Sequence, residues 1–392
     1  MELGFSAEDE AFREEVRTFL EESLSGDFAV VRGRGGPGDD DALFEERLAW
    51  ERHLGAHGWT CVAWPKEHGG RGLSLHQQVI YHEEYARARA PGRVGHIGET
   101  LLGPTLIAFG TPEQQARFLP PIVAGTELWC QGYSEPEAGS DLAALRTRAE
   151  LVDGEWVIDG QKVWTSQAHW ADWCFVLART DPAAPRHRGI SYLLVPMRQD
   201  GVEIRPIHQL TRDGEFNEVF FSGARTAAAN VVGEPEGGWA VAMGTLAFER
   251  GASTLGQNLM FWTEWEAIVD AARAAGRLDD PTVRQRLVET WTRLRLMRLN
   301  ALRFLSSALE APPAAAITKL FWSTLHRDLG ELAMDVLGPH ATLAAAGAGG
   351  WEPTRLQRLF LFSRADTIYA GTSEIQRNLI GERALGLPKE PQ

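Results

Sequence analysis

The chain has 392 residues, 44% of them hydrophobic, with three cysteines and a formal net charge of −14 at pH 7. This length predicts two or three domains, while the negative charge argues against nucleic acid or an anionic membrane surface as the main partner. No apolar run approaches the roughly 18 residues that span a bilayer, and the acidic N-terminus lacks a signal-peptide pattern. With widely spaced cysteines and no CxxC pair, we expect free thiols in a cytoplasmic protein.

Residues 1–127 are predicted to form an α-helical domain. Ser6 precedes an acidic first turn and apolar residues at helical spacing, which is typical of a helix N-cap. From Ala42 to Pro121 the pattern is helical again, with breaks at glycine- and proline-containing loops. His53 and His57 are spaced to share a metal ion, but no third ligand is nearby, so we expect no metal site.

The segment 26–41 interrupts this helical domain. Gly33, Gly35 and Gly38 formally match the GxGxxG pattern of dinucleotide-binding loops. The carboxylates of Asp39 to Asp41 would repel a pyrophosphate at that place, which argues against such a site. The composition therefore favours a mobile surface loop.

Residues 128–236 are predicted to form a compact antiparallel β-domain, because the hydrophobic period changes to two from about Leu128. Two hairpin-turn dipeptides, Asp153-Gly154 and Asp159-Gly160, flank a short strand pattern. The remaining strand candidates are Trp173 to Arg179, Ile190 to Pro196, Val202 to Pro206 and Phe216 to Phe221.

Residues 237–392 read as helical to the end of the chain. Pro281 and Pro312 suit first-turn helix positions, and Gly338-Pro339 is a stop signal. Long apolar-striped helices with short connections predict a four-helix bundle. The fold class is therefore α+β, with an N-terminal helical domain, a central antiparallel β-domain and a C-terminal four-helix bundle.

Two segments of the β-domain carry residues suited to a flat, phosphate-bearing ligand. The first, WCQGYSEPEAGSD at 129–141, is a strand pattern that breaks into a loop of small residues. Such loops present hydroxyl groups and free backbone N–H groups. In the second, KVWTSQ at 162–167, a tryptophan face can cover an aromatic ligand while Thr165 or Ser166 bonds to its edge.

Both segments, together with DTIYAGTSEIQRNLIGERALGL at 366–387, resemble the acyl-CoA dehydrogenase family, as does the order of the three domains. The resemblance implies bound FAD and removal of the α-proton and β-hydride of an acyl-CoA thioester. It places Ser134 at the flavin pyrimidine edge, Ser140 nearer the pyrophosphate, Trp164 on the isoalloxazine and Ser166 near N5. The flavin contacts that it implies are Gln131, Tyr133, Ser134, Ser140, Trp164, Ser166, Thr372 and Glu374.

The family's usual catalytic base is missing from its usual place. Many members carry a glutamate directly before the Gly-Thr of the C-terminal segment, where this chain has Ala370. Relatives similar to isovaleryl- and long-chain acyl-CoA dehydrogenases carry the base in a Leu-x-x-Glu-Arg context, which Leu246 to Arg250 matches. We therefore expect Glu249 to be the base, its pKa raised by apolar neighbours, with Arg250 at the substrate. The alternative for Glu249 is a helix-surface carboxylate paired with an arginine.

The resemblance also implies that the backbone N–H of Ala370 stabilises the enolate oxygen. Two segments depart from the family pattern: residues 260–285 lack Arg-x-x-Phe-Gly, and 334–339 replace Gln-x-x-Gly-Gly, so contacts to the FAD adenine stay unassigned.

The partners implied are an acyl-CoA and an electron-transfer flavoprotein, in a homodimer or tetramer, with a hetero-oligomer also open. Two alternatives remain: a related flavin oxidase or monooxygenase, and a non-catalytic subunit of a hetero-oligomeric dehydrogenase.

Overall fold

The computed structural model describes residues 5–36, 38–248, 253–306, 316–343, 345–347 and 350–389. The N-terminal part is helical, as predicted. Ser6 caps the first helix: its hydroxyl accepts the N–H of Asp9 at 3.1 Å, and the Asp9 carboxylate accepts the N–H of Ser6 at 3.0 Å. The five helices of this part are α1 (Ala7–Ser23), α2 (Phe44–Ala56), α3 (Leu75–Arg87), α4 (Gly103–Phe109) and α5 (Pro112–Ala124).

The prediction of a mobile surface loop is wrong for residues 38–41. The Asp39 carboxylate pairs with Arg34 at 3.0 Å and with Arg358, near the other end of the chain, at 2.8 Å. The backbone N–H groups of Asp40 and Asp41 donate to the Asp213 carboxylate at 2.7 and 3.1 Å. Because Asp213 lies in the central part of the chain, this loop joins all three parts of the fold.

A seven-stranded sheet occupies the middle of the chain. The strands are β1 (Trp129–Gly132), β2 (Arg148–Val152), β3 (Glu155–Ser166), β4 (Trp173–Arg179), β5 (Ile190–Pro196), β6 (Val202–Ile207) and β7 (Phe216–Ala227). Neighbouring strands run in the order β1–β4–β2–β3–β7–β6, and β5 also pairs with β4. Most pairs are antiparallel, as predicted, but β1 and β2 lie parallel to β4.

One of the two predicted hairpin turns is wrong. Asp153 and Gly154 form the turn between β2 and β3, both with positive φ. At Asp159-Gly160, by contrast, β3 continues through the dipeptide with a shift of register against β7. A Cβ at Gly160 would lie 2.5 Å from the Thr147 hydroxyl oxygen, so glycine here permits a close approach of backbone rather than a turn.

The C-terminal part begins with helix α6 (Gly238–Phe248), which packs on the sheet. Alternate residues of β4 face opposite sides of the sheet, and Phe175 and Leu177 share one core with Val241 and Ala242 of α6. The helices α4 and α5 also contribute to that side: Leu106 and Phe118 belong to the same core. The segment that leads to Glu249 is therefore fixed against both the sheet and the N-terminal helices.

The predicted four-helix bundle is confirmed. Helices α7, α8, α9 and α10 enclose one apolar core that includes Phe261, Leu294, Leu329 and Leu359. Pro281 opens α8 as expected, whereas Pro312 lies outside the described residues. Within the described parts, no helix combines the length and apolarity that crossing a membrane requires. The remaining elements are α7 (Ser253–Ala274), α8 (Pro281–Ser306), α9 (Ala316–Leu337), β8 (Ala345–Gly347), β9 (Gly350–Glu352), α10 (Arg355–Phe362) and α11 (Ser373–Leu379).

Candidate active site

The two segments singled out in the β-domain are adjacent in the structure. The N–H of Val163, in the second segment, donates to the carbonyl of Ser134, in the first, at 2.9 Å. This bond sets the loop that follows β1 beside the end of β3. The hydroxyl residues of one segment and the tryptophan of the other therefore share one end of the sheet.

A buried ion pair reinforces this junction. The Lys162 side chain is fully buried, and its ammonium donates to Glu135 Oε1 at 2.8 Å and to the Tyr133 carbonyl at 3.2 Å. Glu135 also accepts the backbone N–H groups of Arg146 and Thr147, at 2.6 and 2.9 Å. Burial opposes ionisation of Glu135, but Lys162 and these donors outweigh it and hold the pKa of the carboxyl below its ordinary value. These bonds hold the start of the loop, at Tyr133 and Glu135.

Trp164 presents its indole to solvent. The ladder between β3 and β7 shifts register between Lys162 and Thr165, and Trp164 has a left-handed φ of 58°. Its side chain is 57% exposed, with Phe216 edge-on at 6.1 Å as an aromatic neighbour. A left-handed φ is uncommon for a bulky residue, so the bulge holds the indole outward at some cost in strain. A flat aromatic ligand can cover such a face.

The hydroxyl residues beside Trp164 differ in access. Thr165 is fully buried, whereas Ser166 is half-buried, which leaves Ser166 as the more accessible of the two candidates. Ser134 is also half-buried and Ser140 is exposed. The Tyr133 ring, by contrast, lies in the core, edge-on to Phe175 at 5.9 Å.

Two of the predicted contact residues carry a donor for which the described residues provide no acceptor. The Gln131 amide nitrogen, on β1, is buried and has no hydrogen-bond partner within the described residues. The Ala370 N–H likewise makes no hydrogen bond to any residue that the structure describes. The buried Gln131 nitrogen costs free energy without an acceptor, and a bound ligand with acceptor atoms removes that cost, whereas Ala370 is half-buried.

The C-terminal segment around Ala370 is held by its own helix, α11. Ala370 has a left-handed φ of 51°, and its carbonyl accepts the buried Gln376 amide at 3.1 Å. The Thr372 hydroxyl accepts the N–H of Ile375 at 3.2 Å, which makes Thr372 the N-cap of α11. Glu374 is exposed and pairs with Arg377 at 3.3 Å. The segment therefore presents the Ala370 N–H from a rigid turn.

Glu249 and Arg250 lie outside the described residues. The helix that precedes them, α6, is described to Phe248 and carries a buried hydroxyl contact between Thr245 and Thr105 of α4, at 2.8 Å. Leu246 packs at the edge of the core beneath the sheet. Packing thus holds α6 as far as Leu246, whereas Ala247 and Phe248 are exposed.

These groups suit the isoalloxazine end of FAD. A flavin has a flat ring for the Trp164 indole and carbonyl and nitrogen acceptors for the donors at Gln131 and Ser166. Hydroxyls and backbone N–H groups in the loop 134–141 suit a diphosphate. The donor set therefore fits the ring system and its nearer phosphates.

Sequence reasoning did not identify the Glu135–Lys162 pair as a support of the site. The signal was partial, since Lys162 lies in the strand β3 but Glu135 lies in the polar loop that follows β1. The sequence does not show that these two side chains, 27 residues apart, pair with each other, because the folded sheet brings them together.

Comparison with known proteins identifies the family. Models of the N-terminal, middle and C-terminal domains of acyl-CoA dehydrogenases match residues 6–126, 130–224 and 236–385. The domain boundaries at 127/128 and 236/237 stay a prediction. The chain is 58% identical to the acyl-CoA dehydrogenase IpdE1 of Mycolicibacterium smegmatis, over 98% of this chain and 99% of that protein.

Two solved structures resemble the chain over its whole length. A steroid ACAD, Tcur3481-Tcur3483, is 32% identical with a TM-score of 0.84, and covers 100% of both chains. The ChsE4-ChsE5 complex from Mycobacterium tuberculosis is 32% identical with a TM-score of 0.82, also over 100% of both. The three domain models and the 58% identity over 98% of the chain show that it belongs to the acyl-CoA dehydrogenase family.

Proposed function

We propose that this enzyme is an FAD-dependent acyl-CoA dehydrogenase that introduces an α,β double bond into a CoA thioester. The observation that carries the proposal is the junction of the two flavin segments, with Ser134 bonded to Val163 and the indole of Trp164 left exposed beside it. When bound, FAD supplies the acceptor for the β-hydride at its N5 atom. The residues proposed to hold it are Gln131, Tyr133, Ser134, Ser140, Trp164, Ser166, Thr372 and Glu374.

Glu249 is proposed as the base that removes the α-proton. The α-proton of a thioester is a weak acid, so an effective base needs a pKa raised towards neutrality, which an apolar setting provides. The helix that leads to Glu249 packs through Val241, Ala242 and Leu246 against the apolar core under the sheet. Arg250 follows in sequence and is proposed to contact the substrate.

The Ala370 N–H is proposed to bind the thioester oxygen. Negative charge develops on this oxygen as the α-proton leaves, and a fixed donor stabilises it. A backbone donor does not depend on the side chain, so alanine can stand where many relatives have their catalytic glutamate. The left-handed turn at Ala370 and the Gln376 bond to its carbonyl keep this donor in place.

The test is anaerobic titration of the yellow protein with a panel of acyl-CoAs, including bulky ones; if the chain is colourless alone, the titration uses the chain purified together with its second subunit. We expect wild type to lose its flavin absorbance with at least one of them. Glu249→Gln should keep its flavin but resist bleaching, because the amide cannot accept the proton. Glu150→Gln, an exposed carboxylate on β2, is the matched control and should bleach as wild type does. Bleaching of the Glu249→Gln protein would refute the assignment of the base.

The relatives support a narrower proposal for the substrate and the assembly. Since a solved relative at 32% identity is described as a steroid ACAD, we include ring-bearing, steroid-derived CoA thioesters as the preferred class. Since another is described as a complex of two proteins, we propose that this chain works with a second, related subunit. The altered segments 260–285 and 334–339 agree with FAD adenine contacts that come from another subunit.

Separate measurements address assembly and electron acceptor. Colourless protein purified alone, which turns yellow when a second subunit is co-expressed, would support the hetero-oligomer. Stoichiometric FAD in the isolated chain would instead support a homodimer or tetramer. For the acceptor we propose an electron-transfer flavoprotein, whereas rapid oxygen consumption with peroxide or a hydroxylated product would indicate an oxidase or monooxygenase.

A further inference from the structure

A buried charged cluster lies in the C-terminal bundle and contacts the turn that contains Ala370. The imidazole of His326 on α9 has a carboxylate at each nitrogen: Nδ1 bonds to Asp366 Oδ2, and Nε2 bonds to Glu264 Oε2 of α7 at 2.9 Å. His326 and Asp366 are 2% and 1% exposed. We call this set, Glu264, His326 and Asp366, the bundle triad.

A carboxylate at each ring nitrogen favours the protonated form of His326. An imidazole can donate to two carboxylates only when both nitrogens carry protons. Burial lowers the pKa of the ring, but the charges and hydrogen bonds of Glu264 and Asp366 outweigh this and raise it from 6.5 to about 10. The Phe261 ring stacks on the imidazole at 4.0 Å between centroids, which fixes its orientation.

The bundle triad connects directly to the Ala370 turn through Asp366. The second oxygen of this carboxylate, Oδ1, accepts the phenol of Tyr369 at 2.5 Å, and the Asp366 carbonyl accepts the Lys319 ammonium at 2.6 Å. Tyr369 immediately precedes Ala370, so the peptide that carries the Ala370 N–H begins at Tyr369. Gln376 holds the carbonyl on the far side of Ala370.

We propose that His326 is a positioning residue for the dehydrogenation: by fixing Asp366 between itself and Tyr369, it aims the Ala370 N–H at the thioester oxygen. This inference rests on the proposed role of Ala370 in substrate binding. It explains why a paired cation and two carboxylates occupy an apolar bundle. Charged groups are costly to bury, and the cluster offsets this cost with a function, because it fixes the orientation of the nearby peptide that carries the Ala370 N–H.

Tyr369→Phe is the sharpest test, because it removes the phenol bond to Asp366 and keeps the aromatic ring. We expect single-turnover flavin reduction by the best acyl-CoA of the panel to slow roughly ten- to hundredfold, the range that small misplacements of a catalytic group produce. FAD content and the substrate concentration for half-maximal rate should change little, because the donor acts mainly in the transition state. His326→Gln should slow reduction at least as much. Tyr81→Phe, which removes a buried phenol bond to the Trp59 carbonyl in the N-terminal part, is the matched control.

A second readout does not depend on turnover. Amide hydrogen exchange over residues 367–372 should become roughly five- to tenfold faster in Tyr369→Phe, with exchange in α8 unchanged. Wild-type rates of both reduction and exchange in Tyr369→Phe would overturn the inference and leave the dehydrogenase proposal intact. If no acyl-CoA reduces wild type, the proposed function fails, and unchanged exchange then overturns the inference by itself.

Discussion

Loss of Lys162 should loosen the flavin site and destabilise the fold together. Lys162→Met keeps the length and apolar stem of the side chain but removes the charge that neutralises buried Glu135. Removing one partner of a buried ion pair costs about 3–5 kcal/mol. Without Lys162, the Glu135 carboxylate still accepts the N–H groups of Arg146 and Thr147. We therefore expect the free energy of unfolding to fall by about 3 kcal/mol, the lower end of this range.

The assay is chemical denaturation of the variant and wild type, with FAD content measured on the same preparations. Arg225→Met is the control, since it breaks an ion pair with Glu155 in which both side chains are about half exposed, and it should cost less than about 1 kcal/mol. Adding Glu135→Gln to Lys162→Met should recover part of the lost free energy of unfolding, because no buried charge then remains. A Lys162→Met protein within about 1 kcal/mol of wild type, with full FAD content, would refute this account of the junction.

Two further predictions concern the C-terminal bundle and the N-terminal core. Because the folded pKa of His326 lies above its unfolded value of 6.5, its protonation stabilises the fold fully below pH 6.5, and this contribution is lost as the pH rises to about 10. It amounts to roughly 3–5 kcal/mol at about 1.4 kcal/mol per pKa unit. Burial also raises the pKa of Asp213 to about 7 and that of Glu215 to about 10, so these two groups destabilise both proteins as the pH rises. Denaturation of His326→Gln between pH 6 and 10 should therefore show a weaker pH dependence than wild type, and equal slopes would contradict the charge of the cluster. Gly103→Ala would place a Cβ 1.8 Å from a ring carbon of buried Trp64 and should cost about 1–3 kcal/mol in urea denaturation, whereas Gly381→Ala, whose Cβ would meet only Leu387 at 3.9 Å, should lie within about 1 kcal/mol of wild type. A stable Gly103→Ala protein would show that the indole can move aside.

Much of the fold was readable from local pattern. The N-cap at Ser6, the turn at Asp153-Gly154 and the start of α8 at Pro281 depend on residues a few positions apart, and each was predicted. The family segments likewise pointed to an acyl-CoA dehydrogenase before any contact was known. Family membership of this kind does not itself fix the chemistry, and for that reason the roles of Glu249 and Ala370 stay predictions.

The failures share one cause. Asp159-Gly160 has the composition of a hairpin turn, but pairing of β3 with β7 keeps it inside a strand. The loop at Asp39 has the composition of a mobile segment, but Arg358 pairs with it from 319 residues away. In both cases a contact distant in sequence outweighs a local preference of about 1 kcal/mol or less.

The sequence by itself determined the order of helices and strands, the bundle and the family, because periodicity, caps and motifs are properties of neighbouring residues. Only the tertiary structure decided which charges meet. It paired Glu135 with Lys162 behind the flavin segments and set Glu264, His326 and Asp366 behind the Ala370 turn. Burial makes these pairs strong and obligatory, since a buried charge without a partner is costly, but burial is a property of the packed chain and not of any short stretch of it.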